Sequence, residues 1–154
     1  MHLYLIQHAL SKSKEEDPER GITDTGKAET EKIAQYFKSL NPEIHVIWQS
    51  GKKRAKETAD LFAHVLGIDN RILEHTGLSP NDPIDTVISA LEKMHKDIVI
   101  VGHLPFLSRL MSYLTTGTDS CQIVKFKNSG IICLERISDK WEICWITTPG
   151  HMRD

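Results

Sequence analysis

The feature that most limits the fold is a set of short, unbroken apolar runs. Leu3-Tyr4-Leu5-Ile6 and Ile98-Val99-Ile100-Val101 hold no charged residue, and Ile44 to Trp48 is interrupted only by His45. A strand with one wet face alternates apolar and polar residues, whereas a continuous apolar strand is buried on both faces. Helical patterns separate these runs. Between 22 and 37, Ala28, Ile33, Ala34 and Phe37 recur at helical spacing behind a cap at Thr23 or Asp24. A second helix over 52–66 closes at Gly67, a third covers about 84–95, and Pro105 suits the first turn of a fourth. From Cys121 the pattern changes. Residues 121–126, 130–137 and 141–146 read as strands, the last two joined through Ser138-Asp139-Lys140 as an antiparallel hairpin. This order predicts a three-layer α/β/α sandwich, mostly parallel with an antiparallel edge, in one domain over residues 1–154.

Composition narrows the function classes. Nineteen basic and twenty-one acidic residues leave a net charge of −2, which argues against a nucleic-acid partner. No apolar run nears the roughly 18 residues of a membrane span, and the start lacks a signal-peptide pattern. A cytoplasmic protein without membrane contact is the expectation. Cys121, Cys133 and Cys144 are an odd count without close metal-type spacing. They read as reduced, mostly buried thiols, with neither a zinc site nor a disulfide framework.

Ligands of such sheets bind beyond the carboxyl ends of the strands. One run ends at Gln7-His8, another at Gly102-His103 and a third at Gln49-Ser50, with Arg54 near the start of the following helix. Taken alone, a strand-end histidine is more often structural and a helix-start arginine more often an ion-pair residue. Their arrival together at three strand ends makes a candidate anion site. Two histidines without a carboxylate motif are a poor metal site.

Four stretches, in order, carry a resemblance: QHA at 7–9, DPERGITDTG at 17–26, SGKKRAKETA at 50–59 and VGHLP at 101–105. Together they resemble the landmarks of the histidine phosphatase superfamily, phosphoglycerate-mutase-like branch. The second resembles the Glu-Arg stretch of its small phosphohistidine phosphatase group, the SixA type. The resemblance implies a phosphoglycerate-mutase-like fold and a phosphatase that needs no metal or organic cofactor. His8 would be the nucleophile, forming a phosphohistidine that water then hydrolyses. Arg54 and His103 would surround the phosphoryl oxygens. The partner would be a phosphohistidine-bearing protein or a small phosphorylated molecule.

Other residues keep two readings. Arg20 either binds substrate or pairs with Glu15, Glu16, Asp17 or Glu19. Ser50 is a pocket hydroxyl or a helix cap. Asp82, in SPNDPID, is a possible general acid near Glu74 and Asp85, yet it matches no motif. A phosphoramidate needs less proton donation, because its leaving nitrogen can be protonated before or during departure.

Two positions depart from the family pattern. Gln7 stands where the family has arginine, and Gly51 where it has proline. Replacing a charge-assisted hydrogen bond by a neutral one loses about 1–2 kcal/mol, or 5- to 30-fold in rate if it falls on the transition state. The alternative function is therefore a phosphate- or phosphoprotein-binding relative with little turnover.

Overall fold

A computed structural model describes residues 1–152. Six strands form one sheet: β1 (His2–Gln7), β2 (Val46–Gln49), β3 (Ile72–Glu74), β4 (Ile98–Gly102), β5 (Ile131–Ile137) and β6 (Lys140–Thr147). Their spatial order is β3-β2-β4-β1-β5-β6. The first four run parallel, with Tyr4 opposite Val99 and Ile47 opposite Val99 from the other side. β5 and β6 are antiparallel and close one edge. The helices are α1 (Asp24–Ser39), α2 (Lys53–Leu66), α3 (Asp85–Glu92) and α4 (Phe106–Thr116).

The unbroken apolar strands follow from this layering. Leu3 and Leu5 point into a core with Ile98, Ile100 and residues of α3 and α4, including Leu91 and Phe106. Tyr4 and Ile6, on the opposite face, meet Val99, Val101, and Ile33, Phe37 and Phe62 of α1 and α2. Each fully buried side chain of this size contributes about 1.5–3 kcal/mol, so both faces of β1 need a covering layer. The expected sandwich is the observed one.

Local chemistry sets the helix starts. Thr23 caps α1, its Oγ1 accepting the Gly26 N–H at 2.9 Å. A Cβ at Gly26 would lie 2.5 Å from the Leu10 carbonyl oxygen, so glycine lets the loop after β1 rest on α1. At α2, Lys52 occupies the cap without a side-chain bond, and no acidic residue sits in the first turn. The helix thus presents open backbone donors and the positive end of its dipole. Its other end closes at Gly67 in the left-handed conformation, φ 73°.

Several expectations change. Residues 121–126 form no strand. Both sides of β1 are taken, by β4 and β5, and the segment pairs with neither edge strand, β3 or β6. Val124 and Phe126 pack on the α3/α4 core instead, and Ile123 stays exposed. β2 begins at Val46 rather than Ile44, and α3 ends at Glu92. The hairpin turn is tighter than expected: Ser138 and Asp139 carry it at φ 49° and 65°, and Lys140 already belongs to β6. Only Cys133 of the three cysteines is buried; Cys121 and Cys144 are exposed. Trp141 is buried in one core and Trp145 packs against the other. Among the described residues no helix is long and apolar enough to cross a membrane.

Candidate active site

The sheet order makes β2, β4 and β1 neighbours, so the three expected strand ends meet. The His8 N–H donates to the Gly102 carbonyl at 3.0 Å, extending the ladder one residue past β1. His8 and His103 leave adjacent strands with ring centroids 5.1 Å apart.

His8 is held in one tautomer. Its Nδ1–H donates to the Ala9 carbonyl at 2.8 Å, which leaves the Nε2 lone pair available. Burial, then the charges of Arg54 and Arg20, push its pKa down to about 4. The ring is therefore neutral at physiological pH. His103 is buried more completely, and its pKa falls to about 3 through burial and the neighbouring His8, Arg54, Lys52 and Arg20. Its Nε2 lies 2.6 Å from Ser50 Oγ. Ser50 Oγ thus bonds His103 closely, and its contact with the Lys52 N–H is long, at 3.4 Å.

Arg54 stands in the first turn of α2, half-buried, and burial and Arg20 lower its pKa. It stays the cation of the site, since guanidinium holds its proton in proteins. Arg20 sits on the loop beside it in a left-handed conformation, φ 54°. Its Nε–H reaches the Lys12 carbonyl at 3.2 Å and its Nη2–H the Ser11 hydroxyl at 3.0 Å. Asp17, one of its expected ion-pair partners, instead accepts from Lys53 Nζ at 2.9 Å.

Among the described residues, three buried polar atoms at this end of the sheet have no hydrogen-bond partner: Gln7 Oε1, Arg54 Nε and His103 Nδ1. Unpaired buried polar atoms are uphill and rare, and their concentration on three neighbouring residues marks a ligand site. Asp82 is not joined to them by a hydrogen bond. Its carboxylate accepts the Ser79 N–H at 2.9 Å, and its carbonyl accepts from Arg109 of α4.

The structure also brings in residues that the strand-end pattern does not single out. Thr58 Oγ1, fully buried on α2, accepts the Ala9 N–H at 2.9 Å and donates to the Arg54 carbonyl at 2.7 Å. One hydroxyl thereby locks the His8 loop to the Arg54 turn. Asn128 Nδ2–H donates to the His8 carbonyl at 2.9 Å. The spacing from Arg54 to Thr58, four residues on one helix face, was the available signal for the first. Nothing local in sequence marks Asn128.

Gly51 departs from proline for a structural reason. Its φ is +88°, which the proline ring cannot adopt, and its N–H donates to Gln49 Oε1. Beside this turn opens a cleft of about 580 Å³ whose walls include Lys14, Arg20, Lys52, Arg54 and Lys56. Glu19 and the paired Lys53 are the other charged groups there. A chain of net charge −2 thus concentrates cations at one mouth. A larger hollow of about 1030 Å³ lies near Trp141 and Arg136, at the far end of the sheet.

Comparisons with known proteins agree with this geometry. The sequence profile of the histidine phosphatase superfamily (branch 1) matches residues 3–78. An uncharacterized protein of Picosynechococcus sp. (strain ATCC 27264 / PCC 7002 / PR-6) is 28% identical over 142 residues, covering 87% of this chain and 84% of that protein. The protein histidine phosphatase SixA, solved with tungstate, superposes with a TM-score of 0.88 at 19% identity, covering 99% of this chain and all of that one. The α-ribazole phosphatase of Shigella flexneri superposes at 0.78 with 13% identity, covering 97% of each chain. A phosphoserine phosphatase mutant of Entamoeba histolytica, bound to phosphoserine, superposes at 0.75 with 16% identity over 99% of each chain. With the profile on β1 through β3, the sheet order of a phosphoglycerate-mutase-like sandwich and a fold like that of SixA, the chain belongs to the histidine phosphatase superfamily.

Proposed function

We propose that this protein is a phosphatase that works through a phosphohistidine on His8 and acts on phosphohistidine in a protein. The observation that carries the reading is the tautomer of His8: Nδ1–H is fixed to Ala9, and Nε2 is free beside His103 and Arg54. The Nε2 lone pair attacks phosphorus in line while the bond from phosphorus to the leaving imidazole breaks and that nitrogen takes a proton. Water then attacks the phosphoryl group on His8, releasing inorganic phosphate and restoring the neutral ring. Arg54 and His103 stabilise the charge on the transferring oxygens. The oxyanion tungstate bound to SixA supports an anion in the same fold.

Substrate class is argued from two features. A phosphoramidate leaving group needs little acid catalysis, which fits a site whose candidate acid, Asp82, holds the Ser79 N–H and neither histidine. The cationic cleft of about 580 Å³, which shares Arg20 and Arg54 with the site, is roomier than one phosphoryl group requires and suits an acidic protein surface. Gln7 supports a second reading, a binder with slow turnover, because it puts a neutral amide where the family has a charged arginine. Comparing a phosphohistidine protein with an aryl phosphate tests both. Replacing Lys14 and Lys56 together by Glu should raise KM for the protein substrate and leave the aryl phosphate kinetics unchanged. Tight vanadate binding without turnover of either substrate would favour the binder.

A further inference from the structure

At the amino end of β1, three strands gather a different chemistry. His2 lies opposite Glu135, and Tyr4 opposite Cys133, across the β1–β5 ladder. On the other side of β5 the register slips between Cys133 and Leu134: Cys133 faces Trp145 while Leu134 faces Ile143. Cys144 is the extra residue of this bulge. In a regular ladder it would alternate to the face opposite Trp145, but a bulge sets two residues against one and turns both the same way. The Cys144 thiol therefore joins Cys133 and His2 on one face. A ring nitrogen of His2 and the two sulfurs all lie within 4.8 Å of one another.

We infer that His2, Cys133 and Cys144, with Glu135 as the fourth donor, form a site for a thiophilic divalent cation of the zinc class. A tetrahedral zinc holds sulfur and nitrogen ligands roughly 3.5–3.8 Å apart, so small side-chain rotations close this cluster on an ion. Two thiols, an imidazole and a carboxylate are the donor set that favours zinc over magnesium or calcium. The outer contacts match as well. His2 Nδ1–H donates to Asp97 Oδ2 at 3.2 Å, while Asp97 Oδ1 accepts the His2 backbone N–H at 2.6 Å. That pair orients the ring and leaves Nε2, 4.0 Å from Glu135 Oε1, as the ligating nitrogen. Glu135 Oε2 in turn lies 3.7 Å from Cys144 Sγ. Cys144 is exposed and the His2 side chain is 38% exposed, so an ion enters from solvent.

Six residues of strand separate His2 from His8, about 20 Å, so the ion takes no part in phosphoryl transfer. Its role is to tie β1 to the β5–β6 hairpin. Binding is coupled to folding, because the ligands converge only when the three strands are paired.

The test uses the reduced, metal-free full-length protein titrated with Co²⁺ and then Zn²⁺. One Co²⁺ per chain should bind, with thiolate-to-cobalt charge-transfer and tetrahedral d–d absorption that Zn²⁺ abolishes. Affinity should fall at least about tenfold in Cys144→Ser and His2→Ala, and about 10- to 100-fold in Asp97→Asn. Cys121→Ser should bind as the parent does. At the same concentration Zn²⁺ should raise the Tm of the parent more than that of Cys144→Ser. No charge-transfer band, a band of parental affinity in Cys144→Ser, or thiols that respond only by forming a Cys133–Cys144 disulfide would each overturn the inference.

Discussion

Gln7→Arg should make the active site stronger. The Gln7 side chain leaves β1 beside the nucleophile, and its Oε1 is buried without a donor. An acceptor in that position repels phosphoryl oxygens, and rotating the amide only substitutes a neutral N–H donor. An arginine there supplies a charged donor, and the difference between a neutral and a charge-assisted bond is about 1–2 kcal/mol. The new charge lies near Arg54, which is already shifted down by burial and by Arg20. A phosphoryl dianion offsets that repulsion when bound, so the gain should appear only with ligand. Expressed in the transition state, it is about 5- to 30-fold in kcat/KM. The assay is kcat/KM on a phosphohistidine substrate together with inhibition by vanadate, whose trigonal form mimics the in-line transition state. Vanadate should tighten by a similar factor, while the Tm of the ligand-free protein falls or stays level. A variant with unchanged turnover and unchanged vanadate affinity would refute the assignment of Gln7 to the phosphate shell.

Other consequences follow from the same geometry. The folded pKa values of His8, about 4, and His103, about 3, lie below the ordinary 6.5, so the unfolded chain binds protons that the folded chain refuses. Stability should therefore be flat above pH 6.5 and fall as the pH drops towards 4, by about 1–2 kcal/mol per histidine between pH 7 and 5. Urea unfolding at several pH values measures it, and His103→Gln should flatten the slope. Thr58→Val removes the acceptor of the buried Ala9 N–H and should cost about 1–3 kcal/mol in denaturation, with a lower kcat as the His8 loop loosens. Asp82→Asn separates substrate classes: if Asp82 protonates an ester oxygen, turnover of an alkyl phosphate drops about 100-fold or more while a phosphoramidate is unaffected.

Much of this fold was legible because it rests on periodicity. Continuous apolar runs at 3–6 and 98–101 required two covering layers, and the structure supplies α1 and α2 on one face and α3 and α4 on the other. The convergence of His8 and His103 followed from strand direction, and that of Arg54 from its place at the start of the helix after β2. What escaped was whatever depends on non-local pairing. Residues 121–126 look like a strand, but a strand also needs a partner, and β4 and β5 occupy both sides of β1. The aim of the Cys144 thiol depends on a one-residue slip between β5 and β6 that composition does not record. Asn128 reaches His8 across 120 residues of sequence. Gly51, by contrast, reads as a missing proline until its φ of +88° shows that proline has no place there.

The central claim is that His8 carries the phosphoryl group. The direct measurement is to mix the protein with a ³²P-labelled phosphoramidate, quench within milliseconds, and locate the label by peptide mapping. The account predicts a base-stable, acid-labile phosphate on His8 Nε2, accumulating in a burst and absent in His8→Ala. Turnover with no such adduct, or with label on any other residue, would contradict it.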